Sequence, residues 1–108
     1  MESQEVEIRT PGQCVSMTEL RAQIDRLDRS LVRLLSERQR YIERAAEIKS
    51  KRSDIRDEAR IADVLTKVKA EAAKAGLRGE IAAAVWRELM ECCIALEMEE
   101  FETLQRAK

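Results

Sequence analysis

The chain has 108 residues, 38% of them charged, yet its net charge is −1; histidine is absent and aromatic residues make up 3%. That length supports one domain with a modest core. The balanced charge argues against a nucleic-acid footprint, which needs a basic excess, and the missing imidazole excludes histidine acid–base catalysis and any histidine-containing metal site. Three Gly and one Pro leave few breakers, and the prevalence of Ala, Leu, Glu, Arg and Lys predicts an all-α fold. Cys14, Cys92 and Cys93 are odd in number and two are adjacent, which makes neither a disulfide framework nor a zinc site. They read as reduced thiols of a cytoplasmic protein. No signal peptide and no membrane-spanning apolar run is recognisable.

Residues 1–15 are polar and aperiodic around Pro11-Gly12, and read as a flexible N-terminal arm with a short docking segment near Thr10 to Cys14. A helical domain is expected over residues 16–105. Its first helix, residues 16–51, opens on a capping box in which the Ser16 hydroxyl and the Glu19 carboxylate each serve a free backbone N–H, with Val15 and Leu20 closing over it as a hydrophobic staple. Nine positions then fall in steps of three and four: Leu20, Ile24, Leu27, Leu31, Leu34, Arg38, Tyr41, Ala45 and Ile48. That is a helix stripe facing one surface. Arg38 stands in it where a hydrophobe belongs, and a guanidinium in a seam is costly unless an anion meets it.

About 35 helical residues span on the order of 50 Å. A compact domain of this size has a radius of gyration near roughly 13 Å, too short to cover such a rod. The stripe therefore predicts an intertwined homodimer. The segment Lys51-Arg52-Ser53-Asp54-Ile55-Arg56 reads as a short connection, with Ser53 or Asp54 capping the next helix. The second helix is expected over residues 56–75, with a stripe of Ile61, Val64, Leu65, Val68, Ala72 and Ala75 and with Gly76 as a left-handed terminator. The third is expected over residues 80–104 and carries two adjoining stripes. One is Ile81, Val85, Leu89, Cys92 and Leu96; the other is Trp86, Met90, Cys93, Glu97 and Phe101.

Glu97 repeats the oddity of Arg38, an ionisable residue on an apolar face. A buried Arg38–Glu97 pair that merely fixes register accounts for both without any function. Other charges point to a ligand. Lys49 follows Arg38 by about three turns, within roughly 20° of the same face and on the order of 16 Å along the axis. Two such cations could grip a small anionic molecule. Asp57 and Arg60, three residues apart, fall in the first turn of the second helix. Arg21 lies beside the seam, about 25 Å from Arg38. It can serve a metabolite-sized site only on the other subunit.

These residues carry a family resemblance. The run Leu20-Arg21-Ala22-Gln23-Ile24-Asp25-Arg26-Leu27-Asp28, then Leu34-Leu35-Ser36-Glu37-Arg38-Gln39, Lys49, Ile55-Arg56-Asp57-Glu58-Ala59-Arg60 and the stretch from Trp86 to Glu97 together resemble the all-helical chorismate mutases, the AroQ type, over residues 17–101. The resemblance implies a homodimer of three-helix subunits with two sites, and rearrangement of chorismate, a dianion, to prephenate without a cofactor. It implies that Arg21 reaches the other subunit's site and holds one substrate carboxylate, and that Arg38 holds the other. Lys49 would donate to the ether oxygen, Asp57 accept from the ring hydroxyl, Arg60 support the substrate, Glu97 face the ether oxygen from the opposite side, and Cys93 stand where a small polar residue helps binding.

A one-step electron shift needs no nucleophile, only selection of the compact conformer and stabilisation of charge on the ether oxygen. Many family members carry Gln where this chain has Glu97. An ionised Glu97 repels the ether oxygen, so the reaction needs its acid form and turnover is expected to fall as pH rises. Cys93 is a weaker hydrogen-bonding group than Ser. The connection from Lys49 to Arg60 is one residue shorter than in common bacterial mutases, a length that, like the Thr10 to Cys14 segment, resembles the related isochorismate-pyruvate lyases; Asp57 favours the mutase. An amino analogue of chorismate is a further candidate substrate, and a non-catalytic helical dimerisation or regulatory module is the reading from another class.

Overall fold

A computed structural model describes residues 6–108, and the chain divides into two compact units, Met1–Arg38 and Gln39–Lys108. Residues 1–5 of the expected arm lie outside the described residues. The described residues form α1 (Met17–Ile48), α2 (Glu58–Ala75) and α3 (Gly79–Arg106), with 3-10 turns at Pro11–Gln13 and Arg52–Asp54. The all-α class, the count of three and the long first helix are as the sequence predicts. Among the described residues no helix is long and apolar enough to cross a membrane.

In the first unit α1 starts as a variant of the expected box. The Glu19 N–H donates to Ser16 Oγ at 3.2 Å, but the Glu19 carboxylate accepts from the N–H of Val15, at 2.9 Å, one residue further back than expected. Val15 is 83% exposed and closes no staple. Residues 7–15 are tied to the first turns of α1 by polar contacts. Arg9 pairs with Glu19 at 3.2 Å, and the buried Gln23 donates from Nε2 to the Glu7 carbonyl at 2.7 Å while its Oε1 accepts from Arg26 Nε. The apolar stripe beyond them stays open: Ile24, Leu27, Leu31 and Leu34 are 49–62% exposed.

The second unit has an apolar core of its own. Ala46, Ile55 and Phe101 form a dry cluster with Ile94, Met98 and Leu104 against it. Ile55, the one apolar side chain in a polar connection, is only 4% exposed. The cap of α2 is Asp57, three residues later than Asp54, because Arg52–Asp54 are spent in the 3-10 turn; Asp57 Oδ1 accepts from the Arg60 N–H at 3.1 Å. Gly76 ends α2 at φ 78°, as expected of a left-handed terminator, and the Leu77 N–H returns to the Ala72 carbonyl at 2.8 Å. Buried Ala72, Ala82 and Ala83 supply small side chains at the closed end of this hairpin, where they let the two helices approach. Of the two stripes on α3, the one holding Met90, Glu97 and Phe101 is buried, whereas Ile81, Val85 and Cys92 of the other are exposed.

Candidate active site

Lys49 is the first residue beyond α1. Its N–H still reaches the Ala45 carbonyl at 3.0 Å, which carries the helical path one step further and aims the side chain from the helix end. Glu97 sits midway along α3 on the buried stripe. The Lys49 ammonium lies 2.7 Å from Glu97 Oε2, with the two side chains 29% and 6% exposed. That oxygen is buried and receives no hydrogen bond of good angular geometry, so it retains capacity to meet another group. A carboxylate enclosed in this way depends on its cation, and removing one member of a buried pair costs about 3–5 kcal/mol. The sequence placed both residues at the site but did not assign them to each other.

The other expected residues fall in two groups. Asp57, Arg60 and Cys93 belong to the second unit with Lys49 and Glu97. Asp57 is committed through one oxygen to capping α2, and the Arg60 guanidinium is turned along α2 to Asp63, at 2.7 Å, and is largely exposed. Cys93 is half-buried one helical turn before Glu97, hence on the same face of α3. Its neighbour Cys92 is a poor nucleophile: desolvation pushes its thiol up, and the Glu88 carboxylate at 3.6 Å adds to the effect. Arg21, exposed, and Arg38, half-buried, both lie on the part of α1 that belongs to the first unit.

Five residues of the surroundings were given no role by the sequence. Arg52 Nε bonds Glu102 at 3.0 Å, and Arg56 bridges Glu58, at 3.1 Å, and Glu91 of α3. The two carboxylates raise the Arg56 pKa further, through hydrogen bonds first to Glu58 and then to Glu91. Each of these side chains looks like an ordinary surface charge in sequence. Only the isolated Ile55 signalled that the connection is anchored. Two grooves also run along the hairpin, one of about 310 Å³ among Val68, Ala72, Ala75, Leu77 and Trp86, and one of about 520 Å³ among Arg56, Ile61, Leu65, Arg87 and Met90; neither is lined by Lys49 or Glu97.

The Lys49 ammonium, held at 2.7 Å from the buried Glu97 carboxyl group, can donate to a ligand oxygen. The pair offers no nucleophile. That suits a reaction in which charge builds on one oxygen inside a single molecule. No curated protein matches the chain. A family model described as "Chorismate mutase type II" matches residues 20–98.

Proposed function

The chain belongs to the type II chorismate mutase family, and from that premise we propose that it converts chorismate to prephenate, with Lys49 and Glu97 flanking the ether oxygen. The observation that carries this reading is the buried Lys49–Glu97 pair, 2.7 Å apart, at the two positions where the family chemistry needs donors. In the reaction the ether C–O bond breaks as a C–C bond forms within the same molecule, and no proton is transferred. Negative charge rises on the ether oxygen in the transition state. The Lys49 ammonium stabilises it there more than in the ground state, which is the condition for acceleration, and Glu97 would add a donor only in its acid form. Arg38 holds one carboxylate of the substrate. Asp57, capping with one oxygen, accepts the ring hydroxyl with the other, Arg60 swings from Asp63 to support the substrate, and Cys93 lines the wall.

The remaining carboxylate falls to Arg21 of a second copy. The half-exposed leucines of α1 support this assembly, since a stripe of Ile24, Leu27, Leu31 and Leu34 left open to water is what a homodimer of such helices covers. The protein is incubated with chorismate and, separately, with isochorismate while product absorbance is followed. Prephenate from chorismate is expected. Salicylate from isochorismate with chorismate untouched replaces the mutase with the lyase, and turnover of an amino analogue alone redirects the substrate assignment.

Three variants test the roles. Arg38→Leu abolishes turnover while the dimer persists, because a substrate carboxylate loses its cation; a merely structural guanidinium gives a neutral or stabilised, still active protein. Glu97→Gln puts a neutral donor in place of the carboxyl group, so it is expected to keep or raise turnover, whereas Glu97→Ala, with no group to face the ether oxygen, loses it. A fully active Glu97→Ala protein removes Glu97 from the reaction.

A further inference from the structure

Three cation–carboxylate contacts join the connection between α1 and α2 to α3. Lys49 meets Glu97, Arg52 meets Glu102, and Arg56 meets Glu91. In the first, Glu97 is buried and Lys49 part-buried; the other two face water, with side chains 40–61% exposed. On α3 the outer carboxylates flank Glu97, Glu91 about 9 Å before it and Glu102 about 7.5 Å after it along the axis. Between Arg52 and Arg56 the connection drops Ile55 into the cluster of Ala46 and Phe101. The segment is thus held at an ionic, an apolar and a second ionic point within five residues.

This stitching has a consequence for chemistry. Lys49 stands past the end of α1, so the direction of its ammonium depends on the chain that follows as well as on the helix. Asp57 directly follows Arg56, and Arg56 reaches both across to Glu91 and forward to Glu58 in the first turn of α2. Stabilisation by fixed donors is steep in geometry, and a misplacement of about 1 Å is worth orders of magnitude in rate. We propose that Arg56 and Glu91, seconded by Arg52 and Glu102, are positioning residues that hold Lys49 and Asp57 in register with Glu97. The proposal rests on the mutase reading. None of the four touches substrate; each acts through the segment it pins.

Exposed ion pairs contribute little to stability, so a positioning role separates from a structural one by what each variant moves. The full-length Arg56→Gln, Glu91→Gln, double and Arg56→Lys proteins are compared with the parent for kcat and KM on chorismate, thermal midpoint and oligomeric state. Each neutral single variant is expected to lower kcat about five-fold, with KM nearly unchanged, and the double variant to be no worse than either single one. Arg56→Lys recovers part of the loss. The midpoint stays within about 4 °C of the parent. Unchanged kcat in both single variants, losses that multiply in the double variant, or a kcat that falls only in step with the midpoint would each overturn the proposal. A parent inactive on chorismate removes the mutase reading and the proposal with it; an active parent with indifferent variants removes the positioning role alone.

Discussion

The two units meet the same problem, burial of apolar side chains on long helices, and solve it to different degrees. Residues 39–108 bury Ala46, Ile55, Met90 and Phe101 among the end of α1, the connection and the hairpin. In residues 6–38 the buried side chain is Gln23, held by polar contacts to Glu7 and Arg26, while Ile24, Leu27, Leu31 and Leu34 face water. The second unit has an apolar core of its own, although Ile48, Ile81 and Val85 stay 48–67% exposed; the first presents its apolar stripe with no such core. The proposed roles divide along the same line. Lys49 and Glu97, proposed to act on the reacting oxygen, belong to the second unit. Arg21 and Arg38, proposed to grip the substrate's carboxylates, belong to the other. On this reading one of the dianion's two carboxylates, the one assigned to Arg21, waits for a second copy.

The comparison breaks first, and with the largest effect, at α1. Leu27→Asp combined with Leu31→Asp places carboxylates on the open stripe. The variant is expected to sediment as a monomer and to lose at least about 100-fold in kcat/KM, the scale of a lost charge-stabilising contact, because Arg21 no longer reaches a second copy's site. The hairpin should keep its helicity by circular dichroism. A dimeric, fully active variant contradicts both the assembly and the division of roles. The complementary cut is Phe101→Ala. It opens a cavity against Ala46 and Ile55 and is expected to cost about 3–5 kcal/mol by urea unfolding. A loss below about 1 kcal/mol means that this core does not hold the second unit together.

Much of the second unit was legible because its signals are local. Gly76 has no Cβ and stops a helix wherever a left-handed residue is needed, and Glu97 stands out on a stripe shared with Met90 and Phe101. What could not be read depends on which of several similar groups wins. Ser53, Asp54 and Asp57 are all competent caps, and the choice fell to Asp57 once the Arg52–Asp54 turn let Ile55 enter the core. The partner of Glu97 is decided by how the chain leaves α1, which periodicity does not encode. Residues 7–15 show no apolar period because their ties to α1 run through a carbonyl, a guanidinium and an amide. Such contacts leave no pattern in sequence.

The smallest effect probes the outer face of α2, where the sequence suggests nothing but solvated charge. Asp63 accepts from Lys67 at 3.0 Å and from Arg60 at 2.7 Å, and these cations, Lys67 foremost, hold its carboxyl group below the ordinary carboxylate range. A depressed folded-state value contributes stability that is present above the unfolded-state value and is lost as pH falls through the folded one. Asp63→Asn is therefore expected to be slightly less stable than the parent at neutral pH, with the difference closing in acid below the usual carboxylate range. Thermal melts across that range check the sign. The same variant releases Arg60 from its ligand-free partner, so KM for chorismate should fall modestly if Arg60 supports the substrate. A stability difference that persists in strong acid shows that the ionised carboxylate was not its source, and a KM that rises instead shows that Asp63 guides Arg60 toward the site.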